Sequence, residues 1–216
     1  MILLRTGFVV AALLALGGCV ETRFESPPGD NLESCDARWK GLWIGEDEKP
    51  KDSNTAFAVD DGCRFLLLDQ PEKGGPFKEV RIPVNFVHAD GKDYVVVSDV
   101  SLKGLVKITP VYGIDPLPEK SFFITRYQVR GDHIDLYSVD EQRTAQKVIE
   151  GKLEGTVAKT SNELHVFVRG DRAKILDILR HDIIFNDKSQ LHLTKSRQTA
   201  VEFERAAITA QKQNKP

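Results

Sequence analysis

The sequence predicts a mainly β domain, a β-rich α+β fold in which a curved antiparallel sheet or barrel carries two or three packed helices. Three observations predict it. Short runs rich in Val, Ile, Phe and Tyr recur between turn-forming Gly, Asp and Asn residues. Two runs, Phe65-Leu66-Leu67-Leu68 and Tyr94-Val95-Val96-Val97, are continuously apolar instead of alternating. A strand with one face in water alternates, so these two predict cover on both faces. Two other stretches switch to helical spacing and supply cover for one of those faces.

The elements follow in chain order. Residues 20–34 hold Pro27-Pro28-Gly29-Asp30-Asn31 and little apolar periodicity, which predicts a flexible tether. The fold then begins near Cys35. Trp39 to Gly45 is the first strand. Ala56–Val59 and Cys63–Leu68 flank Asp60-Asp61-Gly62, a hairpin turn. Val80–Val87 and Tyr94–Val97 flank a second turn at Ala89–Lys92, and Ser121–Val129 and His133–Val139 a third at Arg130-Gly131-Asp132. Leu164–Val168 and Gln190–Thr194 add strands, with Ile183-Ile184-Phe185 placed to pair with the last through Asn186-Asp187-Lys188. Asp140 caps a helix with Ala145, Val148 and Ile149 on its apolar face and Gly151 as its stop. Asp171 caps another that buries Ile175, Leu176 and Leu179. The tail carries a weak stripe of Ala200, Phe203, Ala207 and Ala210, which predicts a docked helix fraying after Ala210. The β-rich domain thus spans residues 35–196, and residues 197–216 form a C-terminal helix and polar tail.

The N-terminus reports location. Arg5 precedes the apolar run Phe8–Leu16, and Leu16-Gly17-Gly18-Cys19 ends it, the layout of a secretory signal over residues 1–18. Small residues directly before a cysteine resemble the lipobox of bacterial lipoproteins. The resemblance implies cleavage before Cys19, diacylglycerol on its thiol, a third, palmitate-like chain on its amine and a membrane as partner. Two or more chains anchor stably. Val20, not Asp, follows the cysteine. By the same resemblance this implies delivery to the outer membrane of a diderm cell with the domain facing the periplasm, or the outer surface of a cell with one membrane. No other apolar run approaches the roughly 20 residues needed to span a bilayer.

Removal of the signal leaves 198 of the 216 residues and a formal charge of −3, against −2 for the whole chain. That balance gives no footprint for nucleic acid. Cys35 and Cys63 remain after Cys19 is lipidated, and in an oxidising compartment they are expected to pair. Closing a loop of roughly 28 residues contributes about 3–4 kcal/mol in the chain-entropy account.

Gly41-Leu42-Trp43 in the first strand resembles the opening of the lipocalins and the wider calycin superfamily. There the Trp closes one end of an eight-stranded barrel and a late Arg packs on it, a role that falls to Arg197 here. The resemblance implies a lipocalin-like barrel that holds a small apolar molecule. The chain departs from the family in placing two helices between strands.

No catalytic motif is present. There is no Gly-x-Ser-x-Gly, no phosphate loop and no Gly-x-Gly-x-x-Gly. His88, His133, His165, His181 and His192 are scattered, and the Asp60/Asp61 and Asp90/Asp93 pairs bracket turns, where Asp bonds nearby amides. Arg130-Gly131-Asp132 is explained as a turn. The sequence calls for no metal, no cofactor and no enzymatic activity. The segment Lys103–Pro118, with three prolines and many apolar residues, reads as a ligand-mouth rim or a protein contact.

Two functions follow as expectations. The first is a non-catalytic lipoprotein whose domain binds an apolar small molecule or lipid in a cavity lined by Phe65, Leu67, Val95, Phe123 and Tyr127. The second is a protein-interaction lipoprotein, an envelope assembly factor or an inhibitor of a periplasmic enzyme, with a filled core and an apolar patch around Val106–Tyr112.

Overall fold

The structure is a computed structural model, and it describes residues 20–45, 55–72, 75–105, 114, 117–159, 164–181 and 184–213. Cys19, the signal segment, Asp182, Ile183 and the patch Val106–Tyr112 lie outside the described residues.

The chain is mainly β, with three α-helices among the described residues on a large curved, unclosed sheet. Its strands are β1 (Val20–Phe24), β2 (Gly41–Gly45), β3 (Thr55–Val59), β4 (Phe65–Asp69), β5 (Lys78–Arg81), β6 (Asn85–Ala89), β7 (Lys92–Ser98), β8 (Phe122–Arg130), β9 (His133–Tyr137), β10 (Gly155–Lys159), β11 (Leu164–Val168) and β12 (Leu191–Ser196). The helices are α1 (Glu141–Ile149), α2 (Arg172–His181) and α3 (Ala200–Gln213).

Nine strands form an antiparallel path, β6-β7-β8-β9-β12-β2-β3-β4-β5, that curls on itself like a barrel. The remaining three form a wing, β10-β11-β1, joined to the path where Phe24 pairs with Phe122 of β8. Side chains alternate across each strand, so the curl makes an inside and an outside. Trp43, Phe57, Phe65, Leu67, Val95 and Phe123 point inward and share one core cluster. Outside, Val87, Tyr94, Val96 and Ile124 pack with α1, α2 and the wing. On the opposite flank Leu42, Ile44 and Leu68 pack under Phe203 of α3. The continuous runs in β4 and β7 therefore have both faces covered, as their lack of alternation predicts.

The expected hairpins are present at Asp60-Asp61-Gly62, Ala89–Lys92 and Arg130-Gly131-Asp132. The helix caps are also where the sequence puts them: Asp140 accepts from the Arg143 backbone N–H at 2.9 Å and Asp171 from that of Lys174 at 2.8 Å. Thr199 and Glu202 bond each other's backbone N–H groups at the start of α3, a capping box.

Several expectations are corrected. Residues 20–34 are not a tether. β1 lies inside the sheet, parallel to β11 (Val20↔Leu164 to Phe24↔Val168), and Thr22, Arg23, Phe24, Pro27 and Pro28 are buried. Arg23 tolerates burial because it pairs with Glu21 and with Asp99 at 3.7 Å. The C-terminal helix docks as its apolar stripe predicts, with Phe203 and Ala207 fully buried, so the domain extends past residue 196. Trp39 belongs to a 3-10 turn (Ala37–Trp39) before β2, not to the strand. The stretch Val80–Val87 is two strands, because Pro83 cannot donate to a ladder. Phe185 bridges Val139, while β12 pairs with β9 and β2. On α1 the buried partner of Ala145 is Thr144, and Ile149 stands 74% exposed.

Candidate functional site

The five residues assigned to a ligand cavity, Phe65, Leu67, Val95, Phe123 and Tyr127, do converge. They line the inside of the curl, and the space between them is occupied by the protein's own aromatics. Trp39 reaches in from its 3-10 turn and is 0% exposed. Its ring centroid lies 5.3 Å from Tyr127, 5.4 Å from Phe65, 6.0 Å from Phe86 and 6.5 Å from Trp43. These are the tilted and edge-on contacts that aromatic quadrupoles favour. Leu102, just after β7, is also fully buried in the same cluster. All five candidate lining residues are buried, and Trp39, Trp43, Leu102 and Ile134 beside them are fully so.

Trp43 donates its indole N–H to the Trp39 carbonyl at 2.6 Å, which fixes the turn on the strand. Among the described residues the indole N–H of Trp39 itself has no partner. The cation over Trp43 is Lys195, whose Nζ is 5.5 Å from the ring, so the packing role expected of Arg197 belongs to a residue two positions earlier. Strand alternation explains the shift: Lys195 pairs directly with Trp43 in the β12–β2 register.

The Trp39 turn is latched from outside by a charged network that no motif announced. Asp36 caps the turn and is clamped by Arg38, with Nη2–Oδ2 at 2.7 Å. Arg38 also reaches Asp93 at 2.9 Å, and Asp93 pairs with His88 at 2.7 Å. The Tyr127 hydroxyl, inside the curl, donates to Asp36 at 2.5 Å. The Cys35–Cys63 disulfide ties the same segment to the turn between β3 and β4, with Cα atoms 5.3 Å apart. The whole arrangement is a strap that ties the Trp39 turn to β6, β7, β8 and the turn before β4.

Its electrostatics are those of a structural clamp. Burial pushes the Asp36 carboxyl up, but hydrogen bonds from Arg38 and Tyr127 outweigh it and hold the group below the usual carboxylate range. Asp93 is lowered in the same way, by Arg38 and His88 against burial. Burial, then the bond to Asp36, drives the Tyr127 hydroxyl well above its ordinary value. A carboxylate with a depressed folded value stabilises the fold above its unfolded value, and that contribution disappears as pH falls through the folded value. The melting-temperature gap between the wild type and Asp36→Asn should therefore be constant above about pH 4 and close as the pH drops further. Thermal denaturation followed by circular dichroism across that range checks it, and a gap that persists at low pH removes the charge from the explanation.

Other titratable groups form smaller contacts. Asp135 pairs with His192 across β9 and β12 at 2.6 Å, and His181 with Asp177 at 3.0 Å. Among the described residues, no group of three or more His, Cys, Asp or Glu side chains is arranged to hold a metal ion. Of the apolar connection singled out in the sequence, the described flanks Val100, Leu105 and Leu117 are 37%, 41% and 59% exposed.

Compared with known protein families, curated proteins and solved structures, the chain finds no match.

Proposed function

We propose that the chain is an outer-membrane lipoprotein, acylated on Cys19, whose periplasmic domain acts without catalysis by contacting another envelope protein. The observation that carries this reading is the interior of the curl. An apolar carrier needs a concave, largely preformed cavity. Here Trp39, Trp43, Phe57, Phe65, Phe86 and Tyr127 occupy that volume themselves. A curl filled by its own side chains, latched by a disulfide and a charge clamp, offers its surface as the working part. This fits an assembly factor or an inhibitor of a periplasmic enzyme.

A lipocalin-like carrier is the second reading. It is favoured by the Gly41-Leu42-Trp43 strand under Lys195 and by the unpartnered indole N–H of Trp39 inside the curl. Comparing native and denatured masses of a soluble Cys19→Ser chain lacking residues 1–18 separates the two. The interaction reading predicts equal masses.

A further inference from the structure

The first strand decides how the domain would stand on a lipid. β1 opens at Val20, the residue after Cys19, and lies inside the sheet between β11 and β8. Neighbouring Cα atoms are only about 3.8 Å apart. An acylated Cys19 therefore brings the bilayer surface to the Val20 end of β1, with no length of chain to hold the domain away.

The strand registers show which parts of the fold share that end. Val20 pairs with Leu164 of β11, and Leu164 with Lys159 of β10. β8 runs antiparallel to β1, with Phe122 opposite Phe24, so its later residues run toward the Val20 end. Arg126, four residues along, pairs with Tyr94 of β7. The turn Ala89–Lys92 precedes Tyr94 and lies at the same end. α2 runs the same way. It starts past Phe24, where the Gly29 N–H donates to the Arg172 carbonyl at 2.9 Å. Its last turn lies on β7, where Lys92 Nζ donates to the Arg180 carbonyl at 2.9 Å and the Tyr94 hydroxyl to the Leu179 carbonyl at 3.2 Å.

Lys159 and Arg180 are exposed there and Lys92 is half-buried. Asp90 pairs with Arg180, and Asp177 with His181 at 3.0 Å, which leaves the two ammonium groups beyond those pairs. The connection between β7 and β8, with exposed Val100, Leu105 and Leu117 on its flanks, leaves the sheet at the other end.

We propose that the domain stands on the bilayer by its Val20 end, with Lys92, Lys159 and the last turn of α2 among anionic lipid headgroups. This rests on the lipoprotein reading. Lysines suit that layer because their ammonium groups stay hydrated on long stems and a negative leaflet attracts them. The orientation turns Val100, Leu105 and Leu117 away from the membrane, toward the side from which a partner protein arrives.

The test compares the full lipidated chain, bound to phosphatidylcholine–phosphatidylglycerol vesicles, with the soluble Cys19→Ser chain lacking residues 1–18. Both are acetylated briefly by a water-soluble N-hydroxysuccinimide ester, and peptide mass spectrometry reads the rate at each lysine. Lys159 should label more slowly on the vesicles by about threefold or more, because a surface potential near about −30 mV raises an ammonium pKa by roughly half a unit. Exposed Lys103, Lys120 and Lys152, at the other end, should keep their rates, since that potential fades within about 10 Å. If Cys19 is acylated but Lys159 labels as fast as in the soluble chain, the orientation is wrong and the lipoprotein reading stands. Slowing at Lys103, Lys120 or Lys152 that equals or exceeds that at Lys159 overturns the orientation equally. A chain without acyl groups on Cys19 overturns both.

Discussion

Replacing Trp39 by alanine is expected to lower the unfolding free energy by about 3–5 kcal/mol, the range for removing a large aromatic from a close-packed core. The indole fills the centre of the curl and touches four aromatic rings contributed by β2, β4, β6 and β8. No neighbour can collapse into its place without breaking the inward register of those strands. Trp39→Phe should cost far less, within about 1 kcal/mol of wild type. It keeps most of the ring contact and removes an indole N–H that is buried without a partner, a group that costs about 1–3 kcal/mol. Urea denaturation of the three chains measures the ordering. A Trp39→Ala chain as stable as wild type would mean that the strap does not plug the curl.

Phe203→Ala should also cost about 3–5 kcal/mol, because it lies at the centre of the weak apolar stripe that docks the C-terminal helix. Its ring is 0% exposed and packs edge-on against Phe77 at 5.5 Å, above Leu42, Ile44 and Leu68. α3, together with Phe77, covers that flank of β2 and β4. Val201→Ala, on the same helix but 58% exposed, should change stability by less than about 0.5 kcal/mol. Denaturant midpoints of the two chains decide the matter. Equal midpoints would show that α3 frays from the sheet.

The contrast between what was readable and what was not has a physical basis. Hairpins with Asp-Gly turns and helices with Asp caps are local, so Asp60-Asp61-Gly62, Asp140 and Asp171 announce themselves. The doubly covered strands β4 and β7 are legible because burial on two faces removes polar residues from both. β1 is not legible. Val20-Glu21-Thr22-Arg23-Phe24 carries two charges in five residues, and its partner β11 is 144 residues away. Only the folded chain brings Asp99 to Arg23 and lets that arginine be buried. β10 is missed for a related reason, since Gly155-Thr156-Val157-Ala158-Lys159 is a short edge strand that remains half-exposed.

The site divides in the same way. Period-two alternation places Phe65, Leu67, Val95, Phe123 and Tyr127 on one inner wall. Alternation cannot reveal what fills that wall, because Trp39 enters through a turn that the sequence disguises as part of β2. The latch of Asp36, Arg38, His88, Asp93 and Tyr127 draws on a turn and three strands. No spacing rule along the chain encodes such a set.

The measurement that tests the filled curl most directly is the mass of the soluble Cys19→Ser domain, purified from the periplasm and weighed under native and then denaturing conditions. The account predicts the same mass in both, about two daltons below the fully reduced chain because Cys35 and Cys63 are joined. A native mass that exceeds the chain and falls to it on denaturation would reveal a bound small molecule. That result would contradict the filled interior and restore the carrier reading.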